Sequence, residues 1–301
     1  MGQGWVLDDT AAQPFFAGGR HDLRAAAWRP GGIEALVAGN FGTLVLVDSG
    51  VQPVEVASRE HLRGIAWRPD GEVAIVVGDA GAIVRYDGKA VATPLLTPVN
   101  LRRAAWRPEG DDCLIAGNDG LLLRWRDGRS QAVGWGRSHL RGLAWRPDGS
   151  FAIVVGNGAL YRYLAGEDDL ELIAELPDGD LTGVAWRPDG AGALVVGYRQ
   201  IAGSPTERES VAWLVSAEGD RPEPAVAPQA GVAFVHAAAG HDGFWIVAQP
   251  VHRGGVSSIL RWKGGPLEAL FVQREVRLAQ VDLAGSRAVV VGSPRAAFFR
   301  A

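Results

Sequence analysis

Short apolar runs alternate with turn-forming residues along almost the whole chain. Between residues 62 and 96 the order is LRGIAW, RPDG, EVAIVVG, DAG, AIVRY, DGK and AVATPLL. Runs of this length, rich in Val, Ile, Leu and Ala and bounded by Asp-Gly, are typical of short strands joined by tight turns. No stretch has a convincing helical period. The pattern therefore predicts an all-β chain built from units of four antiparallel strands.

The same pattern repeats at a nearly fixed interval. Its marker is a tryptophan that recurs every 39 to 41 residues and is followed by a glycine eleven positions later, at Trp28, Trp67, Trp106, Trp145 and Trp186. The series extends to two further units: Val281 takes the tryptophan position of the seventh without a gap, with Gly292 eleven positions later, whereas the sixth unit needs about three extra residues and places Phe234 there. Seven units of about 40 residues thus fill the chain, which is the signature of a repeat architecture.

Four short strands in each unit of about 40 residues are typical of a β-propeller blade. We therefore predict a single seven-bladed β-propeller over residues 1–301. The last unit ends at AAFFRA, which matches only a third strand, whereas AAQPFF near the N-terminus resembles VATPLL of the second unit. The N-terminal segment is thus expected to complete the last blade and close the ring, which removes an exposed sheet edge. The predicted blades cover residues 20–58, 59–97, 98–136, 137–177, 178–228, 229–273, and 274–301 together with 1–19.

These units resemble the WD-type β-propeller repeats, most nearly the bacterial WD-like repeats with a WSPDG-type turn. The third strand of such repeats commonly ends in Trp-Asp, and here the corresponding ends are Tyr86-Asp87, Val47-Asp48, Trp125, Tyr163 and Trp262. The resemblance implies that a histidine before the first strand pairs with an aspartate after the second strand. His61 and Asp79 match that pair, and His139 with Asn157 is a weaker match.

Charge and cysteine content narrow the class of protein. The formal net charge of −4 argues against a nucleic-acid-binding surface. No apolar run is long enough for a membrane span, and the N-terminus lacks the features of a secretory signal. The single cysteine, Cys113, can form no disulfide within the chain. These features favour a reducing, cytoplasmic location.

Arginine recurs four positions before the marker residue. The series is Arg24, Arg63, Arg102, Arg141 and, in the seventh unit, Arg277, with Thr182 and Ala230 in the fifth and sixth units. In a propeller this position lies near the start of the channel-lining strand, so five adjacent blades would place the arginines in an arc around one mouth. Such an arc could hold a carboxylate or a phosphate. The alternative is that each arginine pairs with a neighbouring carboxylate and has only a structural role.

Two insertions, at residues 197–213 and 248–262, lengthen the connections between the second and third strands of the fifth and sixth units. They are expected beside the same mouth. Loops on a rigid scaffold often carry function, so four insertion residues join the arginine arc as candidate binding residues: Arg199, Arg208, His252 and Arg253. The arginine that directly follows each marker tryptophan is expected to form a local salt bridge. The tryptophans themselves are expected to pack between blades and not to stack on a sugar ring.

Signals for catalysis are weak. The six histidines do not have the spacing of metal ligands, and no nucleophile motif or phosphate-binding loop is present. His236 and His241 are assigned to the first hairpin of the sixth unit. We expect a monomeric, non-catalytic interaction module without cofactor or metal, which binds an acidic protein segment or another anion at the arginine-lined mouth. The alternatives are a lectin-like or small-ligand-binding propeller and, third, a hydrolase or lyase with its site in the central channel.

Overall fold

The protein is described by a computed structural model that covers residues 2–8, 11–18, 21–93, 97–252, 254–274 and 276–294. Over these ranges the chain forms five antiparallel sheets of four strands and one sheet of six strands. The other regular elements of these ranges are two short 3-10 turns, Asp79–Gly81 and Asn118–Gly120. The expected all-β class is therefore confirmed.

The first three units are separate four-stranded sheets in which strands follow one another in chain order. Successive strands are antiparallel neighbours, as the short apolar runs and Asp-Gly turns predict. Their bounds are Leu23–Trp28, Ala35–Gly39, Leu44–Val47 and Val51–Pro53; then Leu62–Trp67, Ala74–Gly78, Ile83–Tyr86 and Ala90–Ala92; then Leu101–Trp106, Cys113–Gly117, Leu121–Arg126 and Arg129–Trp135.

The fourth and fifth units share the six-stranded sheet because one long strand passes from the outer edge of the fourth unit into the fifth. The long strand Phe151–Leu164 turns back on itself near Gly158 (φ 72°). A 3.4 Å hydrogen bond from the Ala165 N–H to the Ser150 carbonyl joins its two ends. The six strands are Leu140–Trp145, Phe151–Leu164, Leu170–Trp186, Gly192–Gln200, Arg208–Ser216 and Pro222–Val226. Residues 170–176 belong to the fourth unit and residues 181–186 begin the fifth.

The two ends of the described chain meet in the seventh unit. The sixth unit is Val232–Gly240, Gly243–Pro250, Ser257–Trp262 and Glu268–Gln273, and the seventh is Val276–Ala284, Arg287–Pro294, Gln3–Leu7 and Ala12–Phe16, in that spatial order. The N-terminal segment thus supplies two strands and not one. The expectation that AAFFRA forms the third strand is wrong, because Gln3–Leu7 occupies that place against Arg287–Pro294. Residues 295–301 lie outside the described ranges.

The first strand of each unit, here called the inner strand, contacts the inner strands of the units before and after it. These contacts run in chain order, and the inner strand of the seventh unit contacts that of the first. The second strands of the first five units lie against them and are buried at nearly every position. The core therefore consists of apolar layers between adjacent sheets.

The marker tryptophans join one unit to the next. They are 6 to 9 % exposed. In the second to fifth units the indole Nε1 donates to a carbonyl of the preceding inner strand at 3.1 to 3.2 Å. Three arginines that follow the tryptophans, Arg29, Arg68 and Arg107, lie over the indole of the next unit at 5.4 to 6.0 Å. Besides the local ion pairs that the sequence favours, these arginines thus connect neighbouring units.

The strand register corrects the repeat alignment of the last two units. Trp28 faces Ala35, four residues before Gly39, and the corresponding positions are held by Leu283 opposite Ala288 and by Ala239 opposite Phe244. The assignments of Val281 and Phe234 are therefore wrong. The first turn of the sixth and seventh units is two residues shorter, so the offset of eleven misplaces the marker of the seventh unit by two positions. In the sixth unit the three extra residues that the alignment assumed add to this error.

Candidate functional site

Every inner strand contains a β-bulge near its beginning. The register shifts at the bulge, and the bulged residues are Arg24, Arg63, Arg102, Arg141, Thr182, Val235 and Ala279, one from each unit. A bulge changes the direction in which a side chain points. All seven residues line one cavity of about 200 Å³, together with Arg103 and Gln249. We call this cavity the arginine mouth.

The four bulge arginines are held by the same contact. Each Nε donates to the side-chain oxygen of the residue sixteen positions later, just after the second strand of its own unit. The acceptors are Asn40 at 3.1 Å, Asp79 at 3.1 Å, Asn118 at 2.9 Å and Asn157 at 3.2 Å. A guanidinium anchored through Nε has its orientation fixed and can still offer its Nη groups.

Positive charge exceeds negative charge at this mouth. Asp22 contacts Arg24 at 2.9 Å, and Asp79 is shared by Arg63 at 2.5 Å and Arg102 at 3.6 Å. Burial lowers the pKa of Arg24 and of Arg102, and the nearby charge of Arg63 lowers both further. A cluster of cations that repel one another in this way is relieved by a bound anion.

Arg277 does not line the mouth as expected, and it contacts the mouth only through Gln249. Its Nε donates to Gln249 Oε1 at 2.6 Å, and its charge contributes to the lowered pKa of Arg24. The register gives the bulge position of the seventh unit to Ala279 and that of the sixth to Val235. The expectation that Arg277 and Ala230 occupy these positions is therefore wrong, for the same reason as the shifted alignment.

The insertion in the fifth unit extends a hairpin instead of forming a long loop. Gly192–Gln200 and Arg208–Ser216 pair over their full length, which leaves residues 201–207 as the connection. Arg199 pairs with Glu209 at 2.6 Å, and Arg208 lies over the Tyr198 ring at 5.1 Å. In the sixth unit, His252 Nε2 lies 2.9 Å from Glu207 and so joins the two connections. Arg253 lies outside the described residues.

The histidine contacts differ from those that the WD-type resemblance implies. Asp79 is bound by Arg63, whereas His61 Nδ1 accepts the backbone N–H of Phe41 in the preceding unit at 3.0 Å. His139 Nδ1 accepts the N–H of Asp119 in the same way at 2.9 Å. Phe41 and Asp119 both have a positive φ, of 56° and 55°. These histidines therefore stabilise strained turns across the junctions between units.

A second cavity, of about 270 Å³, lies further along the inner strands and contains polar residues that the sequence analysis missed. Arg103, His236, Gln280 and Asp282 line it among mostly alanine and glycine. His236 lies on the inner strand of the sixth unit, within the hairpin to which the sequence assigned it, and faces Val247 of the second strand. The signal that could have found these residues is their departure from small residues at repeat positions. It is visible for Arg103 in the original alignment and for the other three only in the corrected one.

Burial shifts the pKa values of the ionisable residues that line this second cavity. It raises the pKa of Asp282 to about 6, although the Trp28 N–H donates to Asp282 Oδ2 at 2.8 Å. Burial and the charge of Arg103 hold the pKa of His236 well below its usual value. Burial also lowers the pKa of Arg103 to about 10, so the guanidinium is still charged at pH 7.

No group of three or more His, Cys, Asp or Glu side chains in the described ranges is arranged to hold a metal ion. The described residues also form no helix with the length and apolarity needed to cross a membrane.

Comparison with known proteins supports the fold alone. No family model and no curated protein matches this chain. Among solved structures, the chain is similar to one from Kuenenia stuttgartiensis Hydrazine Synthase, with a TM-score of 0.64 and 16 % sequence identity over 80 % of this chain and 76 % of that chain. At this identity the likeness indicates a shared arrangement of strands and no shared activity.

Proposed function

We propose that the chain is a seven-bladed β-propeller that acts as a non-catalytic interaction module. The closed series of contacts between inner strands supports the ring, as does the pairing of Gln3–Leu7 with Arg287–Pro294. Removal of residues 1–17 tests this architecture, since it exposes the edge of Arg287–Pro294 to intermolecular pairing. The shortened chain is expected to aggregate or unfold, and a monomeric, equally stable product would contradict ring closure.

We propose a location in the cytoplasm. The thiol of the single cysteine, Cys113, is buried, which suits a reducing compartment.

The proposed ligand is an acidic segment of a protein partner, bound at the arginine mouth. The observation that carries this proposal is the set of four guanidiniums fixed through Nε around one cavity. Planar guanidiniums match carboxylates with two parallel hydrogen bonds. The adjacent hairpin of the fifth unit extends the surface on the same side, because its end lies beside the beginning of the inner strand.

A direct test uses a labelled peptide of five glutamates and the full chain. Arg24, Arg63, Arg102 and Arg141 are changed together to Gln, and fluorescence anisotropy gives Kd at low and moderate salt. We expect a loss of affinity of at least about tenfold and a weaker dependence on salt, since the rates and affinities of charged partners depend on such a field. Equal binding by wild type and variant would overturn the proposal.

The matched control changes four other arginines, Arg85, Arg126, Arg162 and Arg187, to Gln, which alters the net charge by the same amount away from the mouth. The control variant should retain most of the affinity. Loss of binding in both variants to the same degree would show that net charge alone attracts the peptide. Circular dichroism of both variants verifies that the strands are intact.

The second cavity, of about 270 Å³, contains the histidine and carboxylate that a channel enzyme would need. Asp282, however, is already engaged by the backbone N–H of Trp28, and His236 is kept neutral by burial and by Arg103. The arrangement therefore favours binding over proton transfer, and we propose no reaction.

A further inference from the structure

The space between the inner strands is lined at two levels by residues that are small in most units. Directly after the bulge stand Ala25, Gly64, Gly142 and Gly183, whereas the other three units have Arg103, His236 and Gln280. Two residues further along, six units have alanine and the seventh has Asp282. The small residues leave the cavity of about 270 Å³, which we call the inner chamber, and the four exceptions all line it.

Hydrogen-bonding groups in the chamber lack partners. Gln280 is only 7 % exposed, and its Nε2 donates to the Ala26 carbonyl at 2.9 Å. Its Oε1 is buried, and no donor among the described residues reaches it. The same holds for Nδ1 of His236. Buried polar atoms in folded proteins are nearly always satisfied, so these two atoms call for a hydrogen-bonding partner.

Arg103 adds a half-buried positive charge between the two cavities. Its Nη1 donates to the carbonyls of Arg63 at 2.9 Å and Arg102 at 3.3 Å, and its side chain lines both the arginine mouth and the inner chamber. Among the described residues, it forms no ion pair with a carboxylate within 4 Å, in contrast to Arg24 and Arg63. A desolvated cation without a counter-charge is costly, and an anion would offset that cost.

We propose that the inner chamber binds a small carboxylate that carries a hydroxyl or amino group. The carboxylate lies against Arg103, and the O–H or N–H group donates to Gln280 Oε1 beside the neutral ring of His236. The chamber is smaller than the roughly 300–1,000 Å³ of sites for drug-sized ligands, so the ligand has few carbon atoms. The arginine mouth attracts anions toward the chamber. This site uses residues other than the four bulge arginines and does not depend on the acidic-segment proposal.

Calorimetric titration of the full chain with three probes tests the site. L-malate and L-aspartate each carry carboxylates and a donor, whereas succinate has the carboxylates without the donor. We expect 1:1 binding of malate or aspartate at least about tenfold tighter than succinate, because the donor satisfies the buried Gln280 oxygen. If neither probe binds more tightly than succinate, the proposal is overturned.

Two variants and one control assign the binding to the chamber. Arg103→Gln keeps a donor for the Arg63 carbonyl and removes the charge. It should lower the affinity for malate and aspartate by at least about tenfold. Gln280→Met keeps the shape of the side chain and should reduce malate binding to the level of succinate. Arg187→Gln, which removes a charge that lines neither the mouth nor the chamber, should leave the affinity for malate within about threefold, since screening by water and salt limits its influence. Wild-type affinity in Arg103→Gln would overturn the proposal, whereas peptide binding tests the mouth separately.

Discussion

The Arg63 guanidinium lies against the Asp79 carboxylate, with Nε 3.1 Å from Oδ1 and Nη2 2.5 Å from Oδ2. This is the only charged acceptor among the four residues that hold the bulge arginines, since the other three units have asparagine at that position. Asp79 also lies 3.6 Å from Arg102 and so neutralises part of the mouth. The charge of Asp79 therefore lowers the positive electrostatic potential of the arginine mouth.

Replacing this carboxylate should strengthen anion binding. Asp79→Asn reproduces the residue of the neighbouring units, so the fold should be retained at a cost of about 1 kcal/mol for the lost charged pair. Affinity for the glutamate peptide should rise several-fold in the anisotropy measurement. Asn118→Asp is the reverse change in the next unit and should lower the affinity for the glutamate peptide. A change in the same direction for both variants would contradict this account of the mouth.

Stability should fall as Asp282 ionises. Its pKa is raised from 3.8 to about 6 by burial, so the folded chain binds this proton more tightly than the unfolded chain. The contribution is fully present below pH 3.8 and is lost as the pH rises through about 6. In Asp282→Asn the amide oxygen can still accept the Trp28 N–H, and no group at this position ionises. The substitution should therefore raise the free energy of unfolding at pH 7 by about 1–3 kcal/mol.

The measurement is urea unfolding of wild type and Asp282→Asn from pH 4 to pH 7.5. The difference between the two proteins should grow with pH. Asp127→Asn, at an exposed turn position with φ 49°, serves as the control and should follow wild type. A difference that does not vary with pH would show that Asp282 ionises in the folded chain as freely as in the unfolded one.

The tryptophan junctions should differ in strength. Trp145 Nε1 donates to the Ala105 carbonyl at 3.2 Å, whereas the buried Nε1 of Trp28 has no partner among the described residues. Trp145→Phe removes a hydrogen bond as well as volume, and Trp28→Phe removes mainly volume. We expect Trp145→Phe to cost about 1 kcal/mol more than Trp28→Phe in chemical denaturation. An equal cost would mean that ring packing alone joins the units.

The recurring glycine has a steric cause that can be tested. A Cβ on Gly156 would lie 2.1 Å from the His139 carbonyl oxygen, because the second strand ends against the start of the inner strand. Gly156→Ala should therefore destabilise the chain by about 2 kcal/mol or more. Gly50→Ala meets nothing within 4 Å and should be neutral or slightly stabilising. Thermal melting of the two variants compares them, and similar melting temperatures would exclude this explanation.

The local pattern of the sequence determined the secondary structure. Short apolar runs separated by Asp-Gly and Arg-Pro-Asp-Gly turns predict antiparallel hairpins because strand pairing and turn chemistry act over a few residues. The tryptophan and glycine markers located five units correctly for the same reason, since each marker contacts residues at a constant sequence distance. The series of Arg24, Arg63, Arg102 and Arg141 followed directly from that repeat.

Only the tertiary structure decided what these side chains surround. The bulge that directs Arg24 and its equivalents into one cavity is a property of strand pairing, and it has no mark in the composition of the strand. The shorter turns of the last two units moved Arg277 off the repeat position and placed Ala279 on it. Arg103, His236 and Gln280 share a chamber because inner strands far apart in sequence face one space. Contacts of this kind depend on how the inner strands are arranged around that space, which no local pattern encodes.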